Sequence, residues 1–264
     1  MRLASWNINS IRARTDRALA VLERHDIDVL ALQETKCKDE QFPVAAFEEA
    51  GYEVAHVGVN QWNGVALISR VGLDDVHRAF PGQPGFGEDP VVEARAVGAI
   101  CGGVRVWSLY VPNGREIDHP HYHYKLQWLH QLKNSAQQWT ADDPAAQVAL
   151  VGDWNVAPRD TDVWDREFFE GKTHVTDPER AAFAAFGDIG YTEVSRVHVP
   201  EDVYTYWDYQ QLRFPKNQGM RIDFAWCSPA LTKRVTGVEI DRNERKGKGA
   251  SDHVPVILDI SESL

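Results

Sequence analysis

Six apolar, strand-like runs end in residues able to handle a metal ion or a phosphate. Leu3–Trp6 ends in Asn7, Asp28–Leu32 ends in Gln33-Glu34, and Val104–Leu109 ends in Tyr110. Val148–Val151 runs into Gly152-Asp153-Trp154-Asn155, Ile222 leads into Asp223, and Ser251-Asp252-His253 stands just before Val254–Leu258. A half-buried strand carries its polar residues in alternation, whereas sheet enzymes collect functional groups where buried strands stop. The set is rich in Asp, Glu, Asn, His and Tyr. No Gly-x-Ser-x-Gly elbow and no Walker loop accompanies it. Such a set fits metal-assisted hydrolysis by an activated water.

Each residue also has a plainer reading. Asp153 after a buried strand suits a water- or metal-holding carboxylate, and equally a turn former. Glu34 reads as a magnesium ligand or as a solvated carboxylate; Mg²⁺ takes one or two carboxylates and keeps several waters, so a sparse acidic site suits it. His253 beside Asp252, at the threshold of an apolar strand, is placed for proton handling or phosphate contact, against the alternative of a structural histidine. Asp223 is a candidate to pair with His253 and fix its tautomer. His119, His121 and His123 alternate in a Pro-containing loop, but no fourth ligand is spaced to close a zinc site there.

The elements that must position these residues are legible in outline. Ala18, Leu19, Val21 and Leu22 give a helix opening at Arg14-Thr15, with Asp16 in its first turn. Leu126, Leu129, Leu132, Ala136 and Trp139 give one apolar face to a helix from Tyr122 to about Trp139. Asp177-Pro178 reads as N-cap and first position of a third helix ending at Phe186 and Gly187. Strand-like runs cover 52–59, 64–70, 91–100, 104–111, 148–152, 204–209, 222–227, 235–240 and 254–260. Strands outnumber helices and often follow one another, which fits a mixed-sheet α/β sandwich better than alternating βαβ units. The turn-rich Pro81–Gly87 reads as a surface loop, so residues 1–264 are expected to form one domain.

Bulk properties narrow the class. The 264 residues suffice for a large core, and nine Trp is a high count. No apolar run reaches the length of a membrane span. The first residues enter a strand pattern with no signal-peptide character. Three cysteines at unrelated spacings read as reduced structural thiols in a cytosolic protein. The net charge of -11 opposes nucleic-acid binding over the whole surface, but binding depends on the local patch.

Taken in order, the motifs form a pattern. Ser5-Trp6-Asn7-Ile8-Asn9 with Ile11-Arg12-Ala13, Leu32-Gln33-Glu34-Thr35-Lys36, Tyr110-Val111-Pro112-Asn113-Gly114, Gly152-Asp153-Trp154-Asn155, Arg221-Ile222-Asp223 and Ser251-Asp252-His253-Val254-Pro255-Val256 resemble the exonuclease III family of apurinic/apyrimidinic endonucleases, within the endonuclease/exonuclease/phosphatase superfamily. The resemblance covers essentially the whole chain and points to the DNA-repair branch rather than to sphingomyelinase or inositol-phosphatase relatives. It implies a four-layer α/β sandwich, two packed mixed β-sheets flanked by helices, with the site at one end. It further implies Mg²⁺ (or Mn²⁺) on Glu34 with Asn9 and Asp252 close by, and Asp153 orienting or deprotonating the attacking water. Asn7 and Asn155 would hold the water or the phosphate, His253 oriented by Asp223 would bind a phosphate oxygen, Tyr110 would contact the phosphate or leaving group, and Asn113 would line the phosphate site.

The implied substrate is double-stranded DNA with abasic sites or blocked 3′ ends, cut 5′ to the lesion, by a cytoplasmic monomer. An abasic nucleotide has no base to unstack and flips out at lower cost. By the resemblance, Tyr206, Trp207, Met220 and Ile222 wall its pocket. The DNA cations would be Arg12, Arg14, Lys36, Arg115 and the 245–248 loop, all beside site motifs. A phosphatase of the same superfamily acting on a small or lipid phosphoester is the alternative. A catalytically dead nucleic-acid binder is a third reading, which the intact set of Asn7, Glu34, Asp153, Asn155, Asp223 and His253 argues against.

Overall fold

Leu3, Ser5 and Asn7 point to one side of the first strand, Ala4 and Trp6 to the other, and all five are buried. A strand buried on both faces needs a layer on each side. The computed structural model describes residues 1–262. In chain order its elements are β1 (Arg2–Asn7), α1 (Thr15–Arg24), β2 (Val29–Gln33), α2 (Val44–Glu49), β3 (Glu53–Val57), β4 (Val65–Ser69), β5 (Asp74–His77), β6 (Ala96–Cys101), β7 (Val104–Tyr110), α3 (Pro120–Asp142), β8 (Val148–Asp153), α4 (Asp177–Asp188), β9 (Thr192–Glu193), β10 (Asp223–Cys227), β11 (Val235–Ile240) and β12 (Val256–Ile260).

The strands make two six-stranded mixed sheets, ordered β11-β12-β1-β2-β4-β3 and β5-β6-β7-β8-β10-β9. Each has one central parallel pair, β1 with β2 and β7 with β8, and antiparallel neighbours outside it. Leu3, Val29, Ala31, Val65, Val106, Ala149, Val151, Ala225 and Val256 fill the space between the sheets. Trp6, Leu30, Leu32 and Ile68 pack outward onto Ala18, Val21 and Leu22 of α1 and Phe47 of α2. On the other outer face Trp107, Leu150 and Trp154 meet Trp128, Leu129 and Leu132 of α3 and Phe183 and Phe186 of α4. The result is helix, sheet, sheet, helix: the four-layer sandwich expected from the motifs.

This topology brings one end of six strands together. Asn7 pairs in register with Gln33, Tyr110 with Asp153, and Asp153 with Asp223. Parallel strands stop together, and an antiparallel neighbour starts where they stop. Asn7, Tyr110, Asp153 and Asp223 stay in phase with the inward-facing residues of their strands. The inter-sheet layer is therefore apolar at depth and turns polar at this edge. Gln33 marks the change: its Nε2 donates to Ser5 Oγ and Ser108 Oγ of opposite sheets at 3.3 and 3.0 Å.

Several local expectations are corrected. The outer-layer helix α3 starts at Pro120, so His121 and His123 are helical and His119 is its N-cap, accepting from the His121 amide at 3.0 Å. A proline at the first position and a capping side chain before it outweigh the loop reading. Thr176, not Asp177, caps α4, and Glu179 closes the capping box. That helix passes Gly187 and ends before Gly190, whose φ of 91° provides the left-handed stop. Residues 204–209 form no strand; Tyr206 makes only single bridges to Met220 and His253. The strands β5 and β9 and the helix α2 are too short or too polar to show in the pattern. Cys37, Cys101 and Cys227 are free and buried.

Gly152 of β8 pairs in register with Leu109 of β7. A Cβ there would lie 1.9 Å from the Leu109 carbonyl oxygen, a backbone atom with no room to yield. Replacing Gly152 by Ala is expected to destabilise the protein by about 1–3 kcal/mol through overpacking, measured as a lower urea midpoint at unchanged slope.

Candidate active site

Asp153 Oδ2 is the centre of the polar edge. It accepts from Asn7 Nδ2 at 3.0 Å, and the other proton of that amide goes to Glu34 Oε1 at 2.9 Å. His253 Nε2 lies 3.6 Å from the same Oδ2. Asp153 Oδ1 accepts the Asn155 backbone N–H at 3.0 Å. One asparagine of the first sheet thus bridges a carboxylate from each sheet.

His253 is held on three sides. Its Nδ1 donates to Asp223 Oδ2 at 2.8 Å, Trp6 Nε1 donates to its carbonyl at 3.0 Å, and its N–H donates to Ser251 Oγ at 3.2 Å. Ser251 Oγ in turn donates to the Asn7 carbonyl at 2.7 Å. Thr205 Oγ1 accepts the backbone N–H groups of Ile222 and Asp223 and anchors the start of β10.

Burial works against every charge here, and the neighbours decide the outcome. Burial pulls the His253 imidazole down, but the charges of Asp223 and Asp153 outweigh it and hold the ring at about 10, so it is an imidazolium at neutral pH. Burial pushes the Asp153 carboxyl up; attraction to His253 opposes this, repulsion from Asp223 and Glu34 adds to it, and it stands at about 7. Burial also acts on Glu34, but the Lys36 ammonium, the Asn7 amide and His253 leave that carboxyl below its usual range. Burial, then the charge on Glu34, keep Tyr110 a neutral phenol.

Among the described residues, Glu34, Asp153 and His253 bring possible ligand atoms within 4.8 Å of one another. A protonated His253 already bonded to Asp223 is a poor ligand, which leaves the carboxylates. Lys36 Nζ lies 3.0 Å from Glu34 Oε2 and 2.6 Å from Asn9 Oδ1, so a cation already sits among these oxygens. Asn9 Nδ2 donates to Asp252 Oδ1 at 3.1 Å. An all-oxygen set of carboxylates and amides, short of positive charge, fits a hard divalent ion.

A second group surrounds the phosphate side and went unread in the sequence. His174 is buried, with Nε2 3.1 Å from Asn155 Oδ1 and Nδ1 3.0 Å from Thr173 Oγ1. Burial and the Lys125 charge bring it to about 3, so the ring is neutral. Because Asn155 Oδ1 only accepts, Nε2 carries the proton, and Asn155 Nδ2 is turned to donate to the Val111 carbonyl at 2.8 Å. Asn113 Nδ2 reaches Asn155 Oδ1 at 3.4 Å. Arg95, buried and paired with Glu93, lies 4.9 Å from the centre of the Tyr110 ring. His174 lies in a loop and Arg95 immediately precedes β6, but neither belongs to one of the motifs, so no local signal marked it. Glu34, Lys36, Asn9, Asn155 and His174 all have φ between 44° and 80°. Non-glycine residues hold that region only where surrounding structure over-determines them, and they cluster at functional sites.

The outer residues divide. Arg12 and Arg115 are exposed beside the site. Arg14 is half-buried, and its guanidinium is engaged by the carbonyls of Asn9, Gly249 and Ala250 and by the Tyr209 hydroxyl. It fastens the 245–250 loop instead of standing free for a phosphate. In that loop Arg245 donates to the Trp207 carbonyl at 3.1 Å. Tyr206 packs 4.9 Å from the His253 ring and, with Met220, lines a cavity of about 140 Å³ walled by Trp164, Phe168 and Phe169. Trp207 does not line it: the indole is fully enclosed among Tyr204, Val254 and Phe214. Ile222 is buried behind the wall with Val163 and Val175. A groove of about 760 Å³ between α1 and α2 sets Asp16, Glu23, Asp26 and Glu49 against Arg70 and would repel a phosphate backbone.

Comparison with known proteins agrees with this geometry. Residues 4–253 match the model of the endonuclease/exonuclease/phosphatase family. The chain is 30% identical over 266 residues to exodeoxyribonuclease III of Haemophilus influenzae, covering 97% of this chain and 98% of that one. It superposes with a TM-score of 0.92 on a Neisseria 3′ phosphatase bound to a product DNA hairpin, at 33% identity over 99% of this chain and all of that one. An AP endonuclease from Archaeoglobus fulgidus superposes at 0.90 with 32% identity and the same coverage.

The raised Asp153 carboxyl has a stability consequence. The native state binds that proton more tightly than the unfolded chain, so stability is lost as pH rises from about 4 to about 7 and the penalty stays constant above. His253 contributes in a separate window: its stabilisation is full below about 6.5 and is lost as pH rises towards about 10. Asp153→Asn is therefore expected to lose less stability than the wild type between about pH 4.5 and 6.5, by on the order of 1 kcal/mol, in urea titrations at the two pH values. An equal loss in both proteins would contradict the assignment.

Proposed function

The chain belongs to the endonuclease/exonuclease/phosphatase family, and from that premise we propose that it is a DNA-repair hydrolase. It cuts the phosphodiester 5′ to an abasic site in duplex DNA and also processes 3′ ends. The observation that carries this reading is the setting of Asp153: a buried carboxyl near 7, aimed by the Asn7 amide and the Asn155 backbone N–H, beside the His253 imidazolium. A base titrating near neutral pH combines a useful deprotonated fraction with proton affinity.

Asp153 takes a proton from the attacking water, whose oxygen bonds to phosphorus. The bond from phosphorus to the preceding 3′ oxygen breaks, and that oxygen takes up a proton from solvent water, leaving a 3′-hydroxyl and a 5′-phosphate. The His253 imidazolium donates to a non-bridging oxygen as its charge grows, and Asp223 holds the ring in place. Tyr110, still protonated, donates to the phosphate or the leaving oxygen. Asn155 and Asn113 line the phosphate site. Mg²⁺ or Mn²⁺ would be held by Glu34, with Asn9 and Asp252 close by, and when bound supplies Lewis-acid charge to phosphate oxygens. Tyr206 and Met220 wall the pocket for the bare sugar, and Lys36, Arg12 and Arg115 meet the DNA backbone.

The likeness to the Neisseria 3′ phosphatase favours removal of a 3′-phosphate by the same groups as a second activity. The P–O3′ bond breaks in both reactions; the released group is inorganic phosphate instead of a strand that begins with a 5′-phosphate. We further take residues 1–264 as one catalytic domain acting as a monomer. The three reduced buried thiols fit the cytoplasm, and no helix among the described residues is long and apolar enough to cross a membrane.

End-labelled duplexes carrying an abasic site, a 3′-phosphate or no lesion test the reading. The wild type is expected to cleave the first two with Mg²⁺ and to stop with EDTA. Glu34→Gln and Asp153→Asn are each expected to lower kcat on the order of 10³-fold. Undiminished cleavage by either variant, or activity on inositol phosphates but none on DNA, would sink it.

A further inference from the structure

Beneath the phosphate site lies an ion pair that the chemistry above does not use. Lys125, on the inner face of α3, and Glu179, in the first turn of α4, are both fully buried, with Nζ to Oε1 at 2.5 Å. The other two protons of the ammonium go upward, to the Asn155 carbonyl at 2.5 Å and the Asn113 carbonyl at 3.2 Å. All three donors are thereby used. Asn113 and Asn155 belong to separate loops, after β7 and after β8, and Asn155 holds a left-handed φ of 49°. Glu179 keeps its other oxygen on the Thr176 N–H and hydroxyl, so the pair is tied into the cap of α4.

We propose that Lys125 is a positioning residue: its ammonium cross-links the two asparagine loops from below and sets their side chains against the phosphate, while Glu179 compensates its charge. The proposal rests on the hydrolase reading, since it assigns Asn113 and Asn155 to phosphate. A buried ion pair is weak evidence of stabilisation, because a well-packed apolar pair often does as well. What an apolar pair cannot replace is a donor shared by two backbone carbonyls.

Lys125→Met alone leaves Glu179 buried and uncompensated and is expected to lower stability. Lys125→Met/Glu179→Met is expected to recover most of it by urea titration, yet to show kcat about 10- to 100-fold below wild type with KM within about threefold. Adding Asn155→Ala to that pair should cost less than Asn155→Ala costs the wild type, because the two act through one group. A stable double variant with wild-type kcat, or fully additive losses, overturns the proposal. Glu179→Gln covers the case in which the double variant does not fold: Lys125 keeps both carbonyls, and kcat is expected to stay within about threefold while stability falls; a loss of tenfold or more overturns the proposal. A wild type inactive on every duplex would instead defeat the hydrolase reading. The positioning claim is then decided by a crystal structure of the double variant or, if that variant does not fold, of Glu179→Gln. Asn113 and Asn155 unmoved in the double variant, or displaced in Glu179→Gln, would overturn it.

Discussion

Asp153, Asp223 and Glu34 end side by side at a dry edge between two sheets, and folding alone does not favour burying three carboxylates together. Much of the local structure answers this constraint. Asn7 divides one amide between Asp153 and Glu34, His253 takes up a proton and pairs with Asp223, and Lys36 turns in towards Glu34. Even so the charge is not fully met: Asp153 is left near 7 and Asp223 Oδ1 has no hydrogen-bond partner among the described residues. That residual deficit of positive charge is what a divalent ion or a proton from water can relieve. The site thus stores destabilisation in the form its chemistry uses.

The sandwich makes such an edge possible at modest cost. Strands covered on both faces must be apolar along their length, and here the inward series passes from Val and Ala to Ser5, Gln33 and Ser108 before reaching Asn7, Tyr110 and Asp153. The Gln33 amide nitrogen bonds to both hydroxyls across the gap, while Gln33 Oε1 has no partner among the described residues. Two parallel pairs, one in each sheet, end on the same side. Functional groups from distant parts of the chain therefore share one rigid frame, and five positive-φ residues around the site are held by it.

The acidic balance of the chain also finds an answer in placement. The groove rich in Asp and Glu lies between α1 and α2, whereas Lys36, Arg12 and Arg115 border the site. Arg14 shows the limit of reading cations from a sequence: an arginine next to a site motif is as able to bind loop carbonyls as DNA phosphate, and here it does the former.

What was legible in the sequence was local and repetitive. Apolar strand runs broken by Asn7, Glu34, Tyr110, Asp153 and Asp223 announced an α/β sandwich with one hydrolytic edge, and the order of the motifs pointed to a family. Helices with a clean apolar face were found to within a few residues, while 204–209 passed for a strand because aromatic alternation looks alike in a sheet and in a bridged loop. Trp207 was expected in the pocket wall from the resemblance, but adjacency to Tyr206 says nothing about which way the ring turns, and it turned into the core. His174 and the Lys125–Glu179 pair carried no local mark, since their roles arise only where α3, α4 and two loops meet, and Arg95 carried none because the Tyr110 ring it lies against belongs to the neighbouring strand. The sequence by itself determined which residue types could do the chemistry, because strand pattern and side-chain type are properties of neighbours in the chain. Only the tertiary structure decided which charges face one another, and hence protonation, orientation and compensation, because Coulomb interaction and burial depend on distance in space.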